Sequence, residues 1–127
     1  MMAVIFEVEP SKDGYQTYLD HAKALRPQLE RMDGFISIER FQSLSTPGKL
    51  VSLSFWRDEA AVRAWREHPE HRAAQDYGRA GVFDDYRLRV ASVIRDYGLF
   101  ERDEAPPYQV PSERPDRARS VLPPPDL

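Results

Sequence analysis

Phe35 to Leu44 and Leu50 to Trp56 are two runs of strand-forming residues joined through Ser45-Thr46-Pro47-Gly48. Parallel strands need a crossover of about a dozen residues or more, so these two are antiparallel neighbours. Proline presets the turn between them and glycine accepts its geometry. Whatever surrounds this hairpin has to be arranged about it.

Upstream, Met2 to Glu9 alternates Val4, Phe6 and Val8 on one side with Ile5 and Glu7 on the other, the period of a strand with apolar residues on both faces. Ser11 or Asp13 is placed to cap a helix in which Tyr15, Tyr18, Leu19, Ala22, Leu25, Leu29 and Met32 recur at steps of three and four. Pro27 predicts a kink or break in it, and Asp33-Gly34 a stop. Downstream, Asp58 caps a second helix that turns Val62 and Trp65 inward and ends or bends at Pro69, with a further helical piece from Glu70 to Tyr77 before Gly78. Phe83 to Tyr97 alternates again, with Leu88, Val90, Ser92 and Ile94 against Arg87, Arg89, Ala91, Val93 and Arg95, and is the longest expected strand. The order strand, helix, strand, strand, helix, strand is that of an α+β, ferredoxin-like βαββαβ antiparallel sheet with both helices on one face.

Such a sheet shows its other face to water unless something covers it. Strict alternation puts Ile5, Ile36, Ile38 and Val93 among Arg40 and Arg89, a mixture that predicts a second sheet packed there and hence a homodimer. From Glu101 onward the chain changes character and carries seven of its eleven prolines, so residues 1–100 read as one domain and 101–127 as an extended tail. That tail is either disordered or an arm anchored on a partner by Tyr108, Val110, Val121 and Leu122.

The net charge of −3 gives no attraction to nucleic acid or to an anionic membrane. No cysteine is present, which removes disulfides and thiolate chemistry and suits a reducing compartment. Without an N-terminal basic segment and apolar run, or a stretch long enough to cross a bilayer, the expectation is a cytoplasmic protein.

Chemistry-bearing side chains concentrate between Phe55 and Arg79, where His68, His71, Arg72, Gln75 and Arg79 follow Trp65 within a short span. Each has a structural reading too. His68 suits the negative end of a helix, Trp65 an inward stripe, Arg79 a salt bridge, and one or more of His71, Arg72 and Gln75 a solvated surface. A metal shared by His68 and His71 is disfavoured, because Pro69 breaks their spacing and His21 is the only other histidine.

The run WRDEAAVRAWREHPEHRAAQDYGR, followed by YRLRVASVIRDY, resembles the antibiotic biosynthesis monooxygenase family of dimeric α+β barrels, over about residues 2–98. The resemblance implies a homodimer and cofactor-independent oxidation of a small aromatic, phenolic or quinol-like molecule by oxygen. In that chemistry His68 and His71 are candidate bases, with Arg72 and Arg79 steadying an enolate. Phe55, Trp65, Gln75, Phe83 and Tyr86 would hold the ring. The haem-degrading branch has a histidine ten positions after a tryptophan; counting from Trp65 reaches Gln75, and Glu7 stands near where that branch has an asparagine, so haem is disfavoured. The alternative is a non-catalytic module of the same fold that binds a small molecule.

Overall fold

The structure, a computed structural model, describes residues 1–69 and 81–107. The expected helical piece from Glu70 to Tyr77 and the tail residues Tyr108, Val110, Val121 and Leu122 lie outside the described residues. The elements follow the expected order: β1 (Met2–Pro10), α1 (Tyr15–Glu30), β2 (Phe35–Gln42), β3 (Leu50–Trp56), α2 (Glu59–Arg66) and β4 (Phe83–Ser92). The strands form one antiparallel sheet in the order β2-β3-β1-β4, so the hairpin occupies one side and the first and last strands the other. Two clusters hold the helices to it. One gathers Val8, Tyr18 and Leu50; the other gathers Leu29, Trp56 and Ala61, with Val8 and Trp56 almost wholly enclosed.

Helix starts and stops follow local chemistry. Asp58 caps α2 as expected, its carboxylate accepting from the Ala61 amide at 2.9 Å. Neither Ser11 nor Asp13 caps α1. The N-cap is Gly14, which is buried and has no side chain to offer. A Cβ there would run into the Val82 carbonyl, the same oxygen that accepts the Ser11 amide at 2.8 Å, so chain packing decides the start of this helix. Pro27 does not break α1. It lies in the final turn on the exposed side, where a missing amide costs one bond, while Leu25 and Leu29 keep facing the core. At Gly34 the backbone adopts φ 86°, a left-handed conformation that lets the chain leave α1 and enter β2 close against α2.

The sheet departs from strict alternation at the end of β1, where Glu9 pairs with Asp85 and Pro10 with Phe83, and again in β2. Phe35 pairs with Trp56 and Ser37 with Phe55, so Ile36 is an extra residue, a β-bulge. Past it the parity changes: Ile38 and Arg40 stand with Ser54 and Ser52 on the helix-covered face, not on the outer one with Ile5 and Arg89. The outer face instead carries Ile5, Val51, Leu53 and Phe55, with Glu7 paired to Arg89 at 2.9 Å and Lys49 at 3.9 Å beside them. The last strand is also shorter than its pattern suggests, ending at Ser92. Met2 is the residue opposite it, and the Val93 amide adds a further bond to the Met1 carbonyl.

Residues 1–94 form one compact unit and a second begins at Arg95. In its described part, the Gly98 amide donates to the Glu101 carbonyl at 2.8 Å, the Asp96 amide donates to Glu104, and Arg102 lies over the Tyr97 ring.

Candidate functional site

Between the sheet and its two helices lies a cavity of about 200 Å³, far more than a single water needs. Its floor is the inward parity of three strands: Val4 and Phe6, Ile38 and Arg40, and Ser52, Ser54 and Trp56. Tyr18, His21, Leu25 and Leu29 hang over it from α1, and Val62, Trp65 and Arg66 from α2. Leu88 and Val90 of β4 also line it and remain 48% and 43% exposed.

Most of this lining is apolar, so its few polar groups set its chemistry. Ser54 is accounted for by the Trp56 indole, whose Nε1 donates to its hydroxyl at 2.9 Å. Ser52 is equally buried, yet among the described residues its hydroxyl has no hydrogen-bond partner. Arg40 is the cross-strand neighbour of Ser52; its Nε donates to the Tyr18 hydroxyl at 3.4 Å and its guanidinium lies 5.9 Å from that ring's centre. His21 sits one turn along α1 from Tyr18, with its imidazole in the lining. No aspartate or glutamate contributes to the described wall.

Displaced carboxylate protonation lies elsewhere, on the surface. Hydrogen bonding by Arg89 and the charge of Lys49 hold Glu7 below the usual carboxylate range. The Ala61 amide and Arg57 do the same for Asp58, and Arg57 for Asp33.

Of the residues singled out in the sequence, Trp65 lines the cavity. His68 lies just behind it, its ring centre 5.4 Å from that of Trp65 and its amide donating to the Trp65 carbonyl at 3.0 Å. Phe83 and Tyr86 are one layer away, their rings packed edge-on with Phe6 at 5.9 Å and tilted against it at 5.7 Å. Phe55 faces the outer side, because adjacent residues of a strand point opposite ways and Trp56 takes the inward place. His71, Arg72, Gln75 and Arg79 lie outside the described residues. The cavity residues not foreseen are Tyr18, His21, Arg40, Ser52 and Ser54. Two signals were available: His21 interrupts the apolar stripe of α1, and two serines stand between Leu50 and Trp56 at the inward positions of β3.

The sequence pattern of the antibiotic biosynthesis monooxygenase family matches residues 1–77. The chain is 53% identical over 93 residues to a protein of Pyricularia oryzae described as jasmonate monooxygenase ABM, a match covering 73% of this chain and 43% of that one. The chain thus spans less than half the length of that relative. It is 31% identical over 93 residues to YqjZ of Bacillus subtilis, covering 73% of this chain and 79% of YqjZ. Among solved structures, Rv0793 of Mycobacterium tuberculosis superposes with a TM-score of 0.69 at 18% identity, covering 76% of this chain and 98% of Rv0793. A variant of SnoaB, a cofactor-independent oxygenase from Streptomyces nogalater, superposes with a TM-score of 0.65 at 12% identity, covering 75% of this chain and 94% of SnoaB. At such identities these two likenesses speak for the fold alone.

Proposed function

The chain belongs to the antibiotic biosynthesis monooxygenase family, and from that premise we propose that it oxidises a small apolar molecule in the cavity beneath Trp65, using molecular oxygen and no cofactor. The observation that carries this reading is the cavity itself: an apolar chamber between sheet and helices with an imidazole in its wall. A substrate with an acidic methylene, phenol or quinol can supply its own electrons. Loss of a proton gives a carbanion or phenolate, which passes an electron to oxygen. The radical pair combines to a peroxide, which loses water. For a methylene the sum is CH₂ plus O₂ to C=O plus H₂O, with substrate carbon oxidised and both oxygen atoms reduced.

The protein's tasks are then modest. His21 accepts the first proton, Trp56 and Trp65 flank the substrate, and the apolar wall keeps water from the reactive anion. His68 acts behind Trp65 as a positioning group for that ring. The aromatic or quinol-like substrate anticipated from the sequence belongs to this proposal. The identity to the Pyricularia protein favours jasmonate as a second substrate to try. The working unit is a homodimer joined through the outer sheet face, where Ile5, Leu53 and Phe55 lie together, and its proposed place is the cytoplasm. Among the described residues no helix is long and apolar enough to cross a membrane.

The test is oxygen uptake with phenols, quinols, anthrones and jasmonate, with and without chelator. Turnover that survives chelator and drops about 100-fold or more in His21→Ala supports the reading. No uptake with any of them leaves a binding module as the better description.

A further inference from the structure

We propose that the cavity takes its ligand as an apolar carboxylate, with the carboxylate seated at Arg40, Tyr18 and Ser52 and the apolar body running toward Trp56 and Trp65. This rests on the cavity being the substrate site, and adds the ligand's charge and direction.

Arg26, Arg57, Arg63 and Arg89 each meet a carboxylate within 3.6 Å or less, although all four are on the surface, where such pairs contribute little. Arg40 and Arg66 line the cavity, and among the described residues neither forms an ion pair. Arg66 is exposed, but Arg40 is half-buried against apolar walls and loses hydration that the Tyr18 hydroxyl and ring return only in part. An anionic ligand returns it.

Position selects Arg40 for the contact. It is the cross-strand partner of Ser52, so their Cβ atoms stand about 5 Å apart on one face. Ser52 is 7% exposed and its hydroxyl, a group normally satisfied when buried, has no partner among the described residues. The Tyr18 hydroxyl, near Arg40 Nε at 3.4 Å, completes a set of donors on one side of the chamber. A planar guanidinium fork matches a carboxylate's two oxygens, with a hydroxyl left to accept or donate. From there the floor becomes steadily apolar through Ile38 and Val4 to Trp56, with Val62 and Trp65 above. A neutral molecule would leave Arg40 and Ser52 without a ligand partner.

Both tryptophans of the chain line the cavity, so their fluorescence reports occupancy directly. The probes are arylalkanoic and alkanoic acids paired with their methyl esters, titrated into the full chain. The expected result is tighter binding of each acid than its ester by about tenfold or more. In Arg40→Met the gap collapses while ester affinity is retained, and Ser52→Ala narrows it. Equal affinity of acid and ester for the native protein overturns the proposal, with no variant needed. So does the absence of binding by any acid, and so does a gap that persists in Arg40→Met, which moves the anion elsewhere. Oxygen uptake separates this from the oxygenase reading. Acids that bind selectively but are never oxidised refute the enzyme and leave the carboxylate seat. Oxidation of neutral phenols that is indifferent to Arg40→Met does the reverse.

Discussion

Ser52 and Ser54 are two positions apart on the same strand, are almost equally buried and look alike in the sequence, yet their removal should have opposite weights. Ser54→Ala strands the Trp56 indole N–H in a site only 1% exposed, which costs about 1–3 kcal/mol in urea unfolding. Ser52→Ala removes a hydroxyl that makes no bond among the described residues, and stability should stay within about 0.5 kcal/mol. Equal losses for the two would contradict this difference. Asp58 gives a pH signature. Its carboxyl is held below the usual range in the folded chain, so its stabilising effect is complete above the ordinary carboxylate value of about 4 and fades as pH falls through the lower folded value. Melting curves of Asp58→Ala should therefore lie below those of the native protein at pH 7 and approach them under acid; a constant gap would mean the cap does not act through its charge. At this scale the sequence announced Asp58 and Trp65 by their settings, a cap before an apolar stripe and a large ring within it. It hid Arg40, because a polar residue on an alternating strand is taken as solvent-facing unless the parity is known.

The elements themselves were written in hydrophobic period and turn chemistry, and the hairpin, both helices and their order are as expected. Departures arise where tertiary contact outweighs local preference. Gly14 starts α1 because the Val82 carbonyl leaves no room for a side chain, and Pro27 stays inside α1 on its exposed side, one amide short. Gly34 joins the two kinds of cause. Its φ of 86° favours glycine, and a Cβ there would sit 2.6 Å from the Ala61 Cβ. Gly34→Ala should thus both strain the turn and push α2 off the sheet, lowering stability by about 1–3 kcal/mol and reducing cavity binding. A neutral effect in denaturant titration would show that the turn relaxes freely. The bulge at Ile36 was illegible for a different reason: nothing in FISIER distinguishes a continuous alternation from one with an extra residue, and only pairing to β3 decides it.

For the molecule as a whole, the expectation of a mixed outer face survives in altered form. Arg40 and Ile38 have left it, but Ile5, Val51, Leu53 and Phe55 form an apolar area on the side neither helix covers. Sedimentation velocity at micromolar concentration should show a dimer, with Leu53→Lys shifting it to monomer; a native monomer under those conditions would rule out the proposed assembly. How these copies meet could not be drawn from one chain's alternation, since a sheet face records that it wants cover and not what covers it. The bulge has a consequence at this scale as well. Arg40 takes its address from the hairpin, through Gln42 opposite Leu50, whereas Phe35 takes its own from the end of α1. Ile36 absorbs the remainder between two independent counts. Removing Ile36 would therefore leave the guanidinium on the cavity side, because its facing is counted from the hairpin and not from the helix.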